Sequence, residues 1–297
     1  MLEINNQDFQ TLTGLTREEF HFFEEQVRPL LERNYLGEEK DTGRKRVLQI
    51  SDMFLMAVIF LRQYPTHLLL SVIFRVSQST VSRTLGFVVD SLHDYFRGTI
   101  HIPSRPVRDS ISTFFRNQRI TMVLDGTEQR IAKCSVRDIE EAFYSGKKRS
   151  HTLTKLIAVS PSGYLLFISK SYAGSLNDLN VVQMPENQIF NLLEPDEGVM
   201  ADGGYKGLYR LHPNTFIPFS KAAGHPDLTP EEKKFNNELS SIRVIVENVI
   251  GHVKMWKCCS LPFRYDNIIE FDALRSYHHK IWYVCASFTH LTVLPLK

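Results

Sequence analysis

Ile120-Thr-Met-Val-Leu-Asp-Gly-Thr127 (ITMVLDGT) is a short apolar run that closes on a carboxylate followed by glycine. Its β-branched and aliphatic residues read as a buried strand. Asp125 then stands at the mouth of a sheet, beside a glycine that admits close approach. That placement suits a metal ligand, although an Asp-Gly turn has the same spelling. Downstream the strand texture continues at Thr152–Ser160 and Tyr164–Tyr172, joined by Pro161-Ser162-Gly163 as a hairpin. Asn177–Gln188 reads as a helix broken at Pro185. Gly198–Asp202 is a short strand whose Val-Met-Ala-Asp202-Gly-Gly repeats the strand, aspartate, glycine arrangement, and Thr215–Pro218 is one more strand candidate. A long helix opens at Thr229-Pro230-Glu-Glu, with Thr229 as cap and Pro230 at its first position, and reaches about Lys257. Three strands, helix, strand, short strand and long helix make a mixed sheet with helices on its faces.

Upstream of about residue 118 the pattern is helical. Thr16 and Glu19 form a capping-box start, followed by Phe20, Phe23, Val27, Leu30 and Leu31 at helical spacing. Residues 51–63 are a second amphipathic stretch, opened by Ser51 or Asp52 and stopped near Pro65. Residues 66–94 read as a short helix, a turn at Arg75-Val-Ser77 and a helix from Gln78, the layout of a helix-turn-helix. Ser77 caps the second helix; Val81, Leu85, Val88 and Val89 point inward. Gln78, Ser79, Thr80, Ser82 and Arg83 lie on its outer N-terminal turns, where they can contact base edges or phosphates. A helical hairpin with polar residues facing water fits the same pattern. The Pro-containing stretch 102–108 separates a helical region, 1–105, from a core, 106–297.

The chain has 297 residues, 43% hydrophobic and 23% charged, which excludes disorder and collagen. No apolar run reaches the roughly 18–20 residues of a bilayer span, and the N-terminus MLEINNQDF is no secretory signal. Four cysteines without CxxC spacing do not make a disulfide scaffold. An intracellular, soluble, reduced protein is expected. The net charge of +2 is uneven: residues 1–40 carry four Lys/Arg against nine Asp/Glu, and residues 41–120 carry eleven against five. The basic middle segment points to a polyanion partner.

The remaining chemistry lies in the acidic residues. Glu247 sits in Ser241-Ile-Arg-Val-Ile-Val-Glu-Asn-Val-Ile-Gly-His-Val-Lys254, where Arg243, Glu247, Gly251 and Lys254 share a helical face. Set among apolar neighbours, it calls for a metal or an ion pair with Arg243. Asp178, in Gly174-Ser-Leu-Asn-Asp178, opens a helix and is either a cap or a fourth acidic ligand. Oxygen ligands of this kind suit Mg²⁺ or Mn²⁺. Two such ions serve phosphodiester hydrolysis. Lys147, Lys148 and Arg149, with His151 and Lys155, are candidates for phosphate neutralisation; His278, His279 and Trp256 read as structural.

Asp125-Gly-Thr-Glu-Gln-Arg-Ile, Tyr144-Ser-Gly-Lys-Lys-Arg-Ser-His-Thr, Gly174-Ser-Leu-Asn-Asp178, Ala201-Asp-Gly-Gly-Tyr205 and Leu239-Ser-Ser-Ile-Arg-Val-Ile-Val-Glu247 occur in order. With the helix-turn-helix, they resemble the DDE transposases of the PIF/Harbinger superfamily and related bacterial insertion-sequence enzymes over about residues 10–290. The resemblance implies an α+β chain, a helix-turn-helix module followed by an RNase H-like mixed α/β catalytic core. It also implies Asp125, Asp202 and Glu247 as the catalytic triad, with Asp178 a further metal ligand. A bacterial pattern of Tyr, Arg, Glu and Lys is met at Arg243, Glu247 and Lys254, as DNA contacts, but Ser240 stands where the tyrosine belongs. The implied activity is cleavage at element ends by two-metal-ion hydrolysis, then joining of the 3′-hydroxyl to target DNA. Its cofactor is Mg²⁺ or Mn²⁺ and its partner double-stranded DNA. A homodimer or larger oligomer is expected because two ends are processed together, with an accessory DNA-binding protein as an optional partner and no membrane. The location would be the nucleus in a eukaryote or the nucleoid in a bacterium. A domesticated descendant that binds DNA without cutting is the rival.

Overall fold

A computed structural model of the chain describes residues 4–36, 48–132, 141–221, 227–265 and 271–294. Arg44-Lys45-Arg46 and Cys134 lie outside the described residues. No described helix is long and apolar enough to cross a membrane. The chain divides into two compact units, one formed by residues 1–99, 253–261 and 280–292, the other by 100–252, 262–279 and 293–297. The sequence reading divides the chain at 105/106; the first unit instead combines residues 1–99 with two C-terminal segments that the reading left with the core.

The first unit is helical. It contains α1 (Asn6–Thr13), α2 (Arg17–Leu36), α3 (Ile50–Gln63), α4 (His67–Phe74) and α5 (Gln78–Tyr95). The Thr16–Glu19 capping box is present in both directions: Thr16 N–H donates to Glu19 Oε2, and Glu19 N–H to Thr16 Oγ1. α3 begins one residue earlier than expected and is preceded by Gln49, not by a Ser51 or Asp52 cap. The Ser51 hydroxyl is taken by Glu24, to which it donates at 2.6 Å. Phe23, Phe96 and Phe288 pack edge to face in this unit, with Trp256 stacked on Phe288. Burying each such ring contributes roughly 1.5–3 kcal/mol.

The second unit is built on a mixed sheet. Its strands are β1 (Thr113–Phe115), β2 (Gln118–Arg130), β3 (Tyr144–Ser145), β4 (Ser150–Val159), β5 (Leu165–Ile168), β6 (Tyr172–Ala173), β7 (Glu197–Met200) and β8 (Thr215–Phe216). Helices α6 (Arg105–Ser110), α7 (Asp178–Val182), α8 (Pro230–Val253), α9 (Lys257–Ser260) and α10 (Phe271–Thr292) complete the described chain, α9 and the end of α10 falling in the first unit. β5, β4, β2, β7 and β8 lie side by side in that order. β2–β4 and β4–β5 are antiparallel, and β2–β7 and β7–β8 parallel. This is the sheet of an RNase H-like core, as expected. Met122, Leu124, Leu156, Ala158, Leu166, Val199 and Tyr205 belong to one buried cluster on it.

Several boundaries differ from the sequence reading. β2 does not end at Asp125. It runs five residues further, because β4 stays paired with it through Gly126↔Leu156 to Arg130↔Thr152, and an Asp-Gly turn is thereby excluded. The 164–172 strand splits at Ser169, whose hydroxyl accepts from Leu156 N–H in place of a backbone carbonyl. The helix read over 177–188 stops at Val182, where Asn187 Nδ2 donates to the buried carbonyl of Val181. α8 carries the Thr229–Glu232 capping box and ends at Val253, so Lys254 lies in a turn and does not extend the Arg243–Glu247 face.

Candidate active site

The strand register brings the first two carboxylates together. β7 runs parallel to β2 with Val123 opposite Met200. Asp125 lies two residues beyond Val123 and Asp202 two beyond Met200, so both carboxylates leave the same end of the paired strands, and Asp202 acts on Asp125. Asp125 is held by its own strand, with Gly126 N–H donating to its Oδ1 at 2.9 Å. Asp202 leaves β7 and caps the tight turn Gly203–Tyr205, its Oδ1 accepting from Gly204 N–H at 2.8 Å. Asp178 enters from the first turn of α7. The cap of that helix is Asn177, whose side chain accepts from Asn180 N–H, so the Asp178 carboxylate is released from capping.

Two glycines make room for the carboxylates. A β-carbon on Gly126 would collide with Asp178 Oδ1. One on Gly204 would stand 2.9 Å from Asp178 Oδ2 and 3.0 Å from Asp202 Oδ1. The buried hydroxyl of Tyr205 faces the same notch, 3.5 Å from the position of a Gly126 β-carbon, and has no hydrogen-bond partner among the described residues. The sequence reading missed it. The signal was the last letter of Ala201-Asp-Gly-Gly-Tyr205, which carries no chemistry until the fold turns it inward.

The electrostatics record crowded acids. Burial raises the Asp125 carboxyl to about 6; Asp202 and Asp178 add to the rise, while Gly126 N–H and Arg243 oppose it. Asp178 is also raised, first by burial, with Lys147 pulling it down and Asp202 and Glu128 pushing it up. Burial lifts the Tyr205 hydroxyl well above its usual range, and all three aspartates add to the lift. Among the described residues none of the three aspartates has a salt-bridge partner; Arg243 and Lys147 act on them without pairing. Arg243 Nε is itself a buried donor without a hydrogen-bond partner among the described residues.

Glu247 departs from expectation. It is exposed on α8, as is Val244, and the buried stripe is Leu239, Val246, Val249, Ile250 and Val253. The helix therefore has a solvent face, and the premise of a glutamate enclosed by apolar side chains does not hold. No Arg243–Glu247 ion pair occurs among the described residues, and Glu247 is not among the groups that shift Asp125 or Asp178. Glu247 stands one turn beyond Arg243, on the same side of the helix. The carboxylates surround the notch without closing on one point: among the described residues, no three of them bring ligand oxygens within 4.8 Å of one another. Their donor set is oxygen only, which fits Mg²⁺ or Mn²⁺ and not a thiophilic ion. The orphaned Tyr205 hydroxyl and the space kept by Gly126 and Gly204 fit a bound cation as well.

Of the basic candidates, Lys147, Lys148 and Arg149 are exposed in the turn between β3 and β4, and Lys147 alone of these acts on Asp178. Lys155 does not join them. It is 1% exposed, its ammonium donating to Ser169 O at 3.0 Å and lying 3.3 Å from His279 Nδ1. His278 is structural, buried between Ser171 Oγ (2.6 Å) and Gln129 Oε1 (2.8 Å).

In the helical unit, α4 and α5 are joined by Arg75-Val76-Ser77, with Arg75 in the left-handed region and Val76 N–H bonded to Ser71 O. Ser77 Oγ accepts from Thr80 N–H at 3.1 Å. Val81, Leu85, Val88 and Val89 are buried; Gln78, Ser79, Ser82 and Arg83 are exposed. Thr80 is half-buried, its hydroxyl 2.9 Å from that of Ser77.

A helix-turn-helix unit joined to an RNase H-like sheet with clustered aspartates defines a nucleic-acid-processing class. Residues 124–289 match the family model of the DDE superfamily endonucleases, and residues 46–98 match the helix-turn-helix of the same superfamily. The chain belongs to the DDE superfamily endonucleases. It is 24% identical over 267 residues to "Probable transposase for insertion sequence element IS702" of Microchaete diplosiphon, covering 88% of each chain. It is 22% identical over 188 residues to "Putative nuclease HARBI1" of Rattus norvegicus, covering 62% of this chain and 50% of that one. No solved structure matches it.

Proposed function

We propose that the protein is a DNA transposase that cuts double-stranded DNA at element ends and joins the freed 3′-hydroxyl to a target strand. The observation that carries this reading is the meeting of Asp125, Asp178 and Asp202 around the Gly126–Gly204 notch, without salt-bridge partners among the described residues. Asp125, Asp178 and Asp202, with Glu247 from α8, would hold Mg²⁺ or Mn²⁺. Such ions, when bound, supply activation of a water and neutralisation of phosphoryl charge. Arg243 and Lys147, the cations that already act on the aspartates, draw a scissile phosphate to the notch, and Lys148, Arg149 and Lys254 add to the attraction for the backbone. Gln78, Ser79, Thr80, Ser82 and Arg83 contact the element end and fix which phosphate is presented. In hydrolysis an oxygen–phosphorus bond forms to water as the bond to the 3′-oxygen breaks; in joining, the 3′-oxygen attacks in line and a target-strand bond breaks. Catalysis is then largely positioning and charge stabilisation. The chain works as a homodimer or larger assembly, so that two ends are held together.

The test is nicking of supercoiled plasmid with Mg²⁺ or Mn²⁺ by wild type, Asp202→Asn and Glu247→Gln, with salt-dependent DNA binding measured alongside. Metal-dependent nicking, lost at least about 100-fold in both variants while binding persists, is expected. Binding without nicking by the wild type, with and without a nuclear or cellular extract to supply an accessory protein, would overturn the reading in favour of a DNA-binding descendant.

A further inference from the structure

The helical unit contains a second group of ligand-type side chains, unrelated to the carboxylates. Cys258 and Cys259 lie on the four-residue α9, and Cys285 on α10. All three are 0% exposed. Their sulfurs face one another: Cys258 Sγ is 3.4 Å from Cys285 Sγ and 3.9 Å from Cys259 Sγ, and all three fall within 4.8 Å. Buried cysteines commonly serve as small apolar fillers, and then their sulfurs meet hydrocarbon. Here three sulfurs from two helices converge on one point.

The spacing suits an ion. Thiolates each about 2.3 Å from one cation are separated by about 3.8–4.0 Å, from tetrahedral to trigonal arrangement; the 3.9 Å edge falls within that range, and the 3.4 Å edge needs to open by only a few tenths of an ångström. The charges suit it too. Three thiolates around a divalent cation leave one negative charge, which a buried site must balance. The Arg62 guanidinium is half-buried and interacts with Cys285. It sits 5.7 Å from the Trp256 ring and has no carboxylate partner among the described residues. A lone cation beside a thiol cluster is a cost in the metal-free protein and the missing counter-charge in the loaded one.

We propose that Cys258, Cys259 and Cys285 form a three-thiolate site for a thiophilic divalent cation of the Zn²⁺ class, balanced by Arg62. On loading, three S–H bonds are exchanged for three sulfur–metal bonds and three protons leave to solvent; no oxidant is involved. The ion ties α9 to residues 280–292 and so fastens the C-terminal segments of the helical unit in which α4 and α5 lie.

The test uses the full-length protein, purified reduced and without chelator, with Cd²⁺ and Zn²⁺ as probes. One equivalent of ion retained per chain through dialysis is expected, together with a near-ultraviolet sulfur-to-Cd²⁺ charge-transfer band. That band separates thiolate from carboxylate binding. Cys258→Ala and Cys285→Ala lose the band and bind at least tenfold more weakly, whereas Cys134→Ser keeps both. Should either alanine variant fail to fold, the wild-type band and stoichiometry decide alone. No band in the wild type, a band unchanged in folded Cys258→Ala and Cys285→Ala, or two thiols missing from a non-reducing thiol titration (a Cys258–Cys285 disulfide) would each overturn the proposal.

Discussion

Replacing Asp125 by Asn is expected to stabilise the metal-free protein while abolishing its activity. Burial raises the folded-state carboxyl of Asp125 to about 6, from a reference of 3.8. The folded state therefore holds this proton more tightly than the unfolded chain does. The stabilisation this provides is complete below the unfolded value and is lost as pH rises through the folded one. About two pKa units correspond to about 3 kcal/mol at neutral pH. Asn keeps the Oδ1 that accepts from Gly126 N–H and carries no charge to desolvate, so it escapes the loss. Urea unfolding in the presence of chelator measures the difference. Asp125→Asn should exceed wild type by up to about 3 kcal/mol at pH 7.5 and match it near pH 4. Adding Mg²⁺ should reverse the order, since an ion at about 1,000 times its dissociation constant stabilises only the protein that binds it, by about 4.1 kcal/mol. A variant no more stable than wild type at pH 7.5, or stabilised equally at both pH values, would refute the reasoning.

Other perturbations test the remaining parts. Gly126→Ala places a methyl against Asp178 Oδ1 and should weaken Mg²⁺ binding at least tenfold in calorimetry while far-ultraviolet dichroism stays unchanged. Ser77→Ala removes the cap of α5 and should cost about 1 kcal/mol in thermal unfolding. Arg83→Ala should leave stability unchanged and reduce the salt slope of DNA binding by about one. Arg108 holds the buried Glu197 through two bonds of 2.8 and 2.6 Å. Arg108→Ala should therefore destabilise by about 3–5 kcal/mol, read in urea unfolding.

The parts of this protein written in local chemistry were legible before the fold was known. Thr16–Glu19, Ser77 and Thr229–Glu232 are caps that need only their neighbours, and each forms its expected bond. Asp125 and Asp202 were found as strand-associated aspartates followed by glycine, and the parallel register of β2 and β7 explains why they meet. What the sequence could not reveal depends on partners far away in the chain. The end of β2 was misread because Asp125-Gly126 spells a turn, whereas pairing with residues 152–157 keeps the chain extended. Lys155 looked like part of a basic surface run, but β4 is buried on both faces from Thr152 onward, and the ammonium is taken up by Ser169 O. Glu247 looked enclosed because its neighbours are apolar, yet the α8 stripe that packs is narrower than that list. The cysteine cluster was invisible because Cys285 lies 27 residues beyond Cys258 with no ligand spacing; the four-residue α9 and the long α10 bring them together.

The layout of charge around β7 explains how so short a strand can carry a costly residue. Glu197, at one end, is fully buried, but bonds from Arg108 and Glu194 N–H outweigh the burial penalty and keep its carboxyl below the usual range. Asp202 lies just past the other end, facing Asp125 and Asp178 without a salt-bridge partner among the described residues. Four residues separate a satisfied acid from an unsatisfied one. The ladders to β2 and β8 hold β7 on both edges, and the Arg108–Glu197 pair anchors its first residue. The acid that is compensated thus sits at the strand's start, and the acids whose proximity raises the Asp125 and Asp178 carboxyls gather past its end.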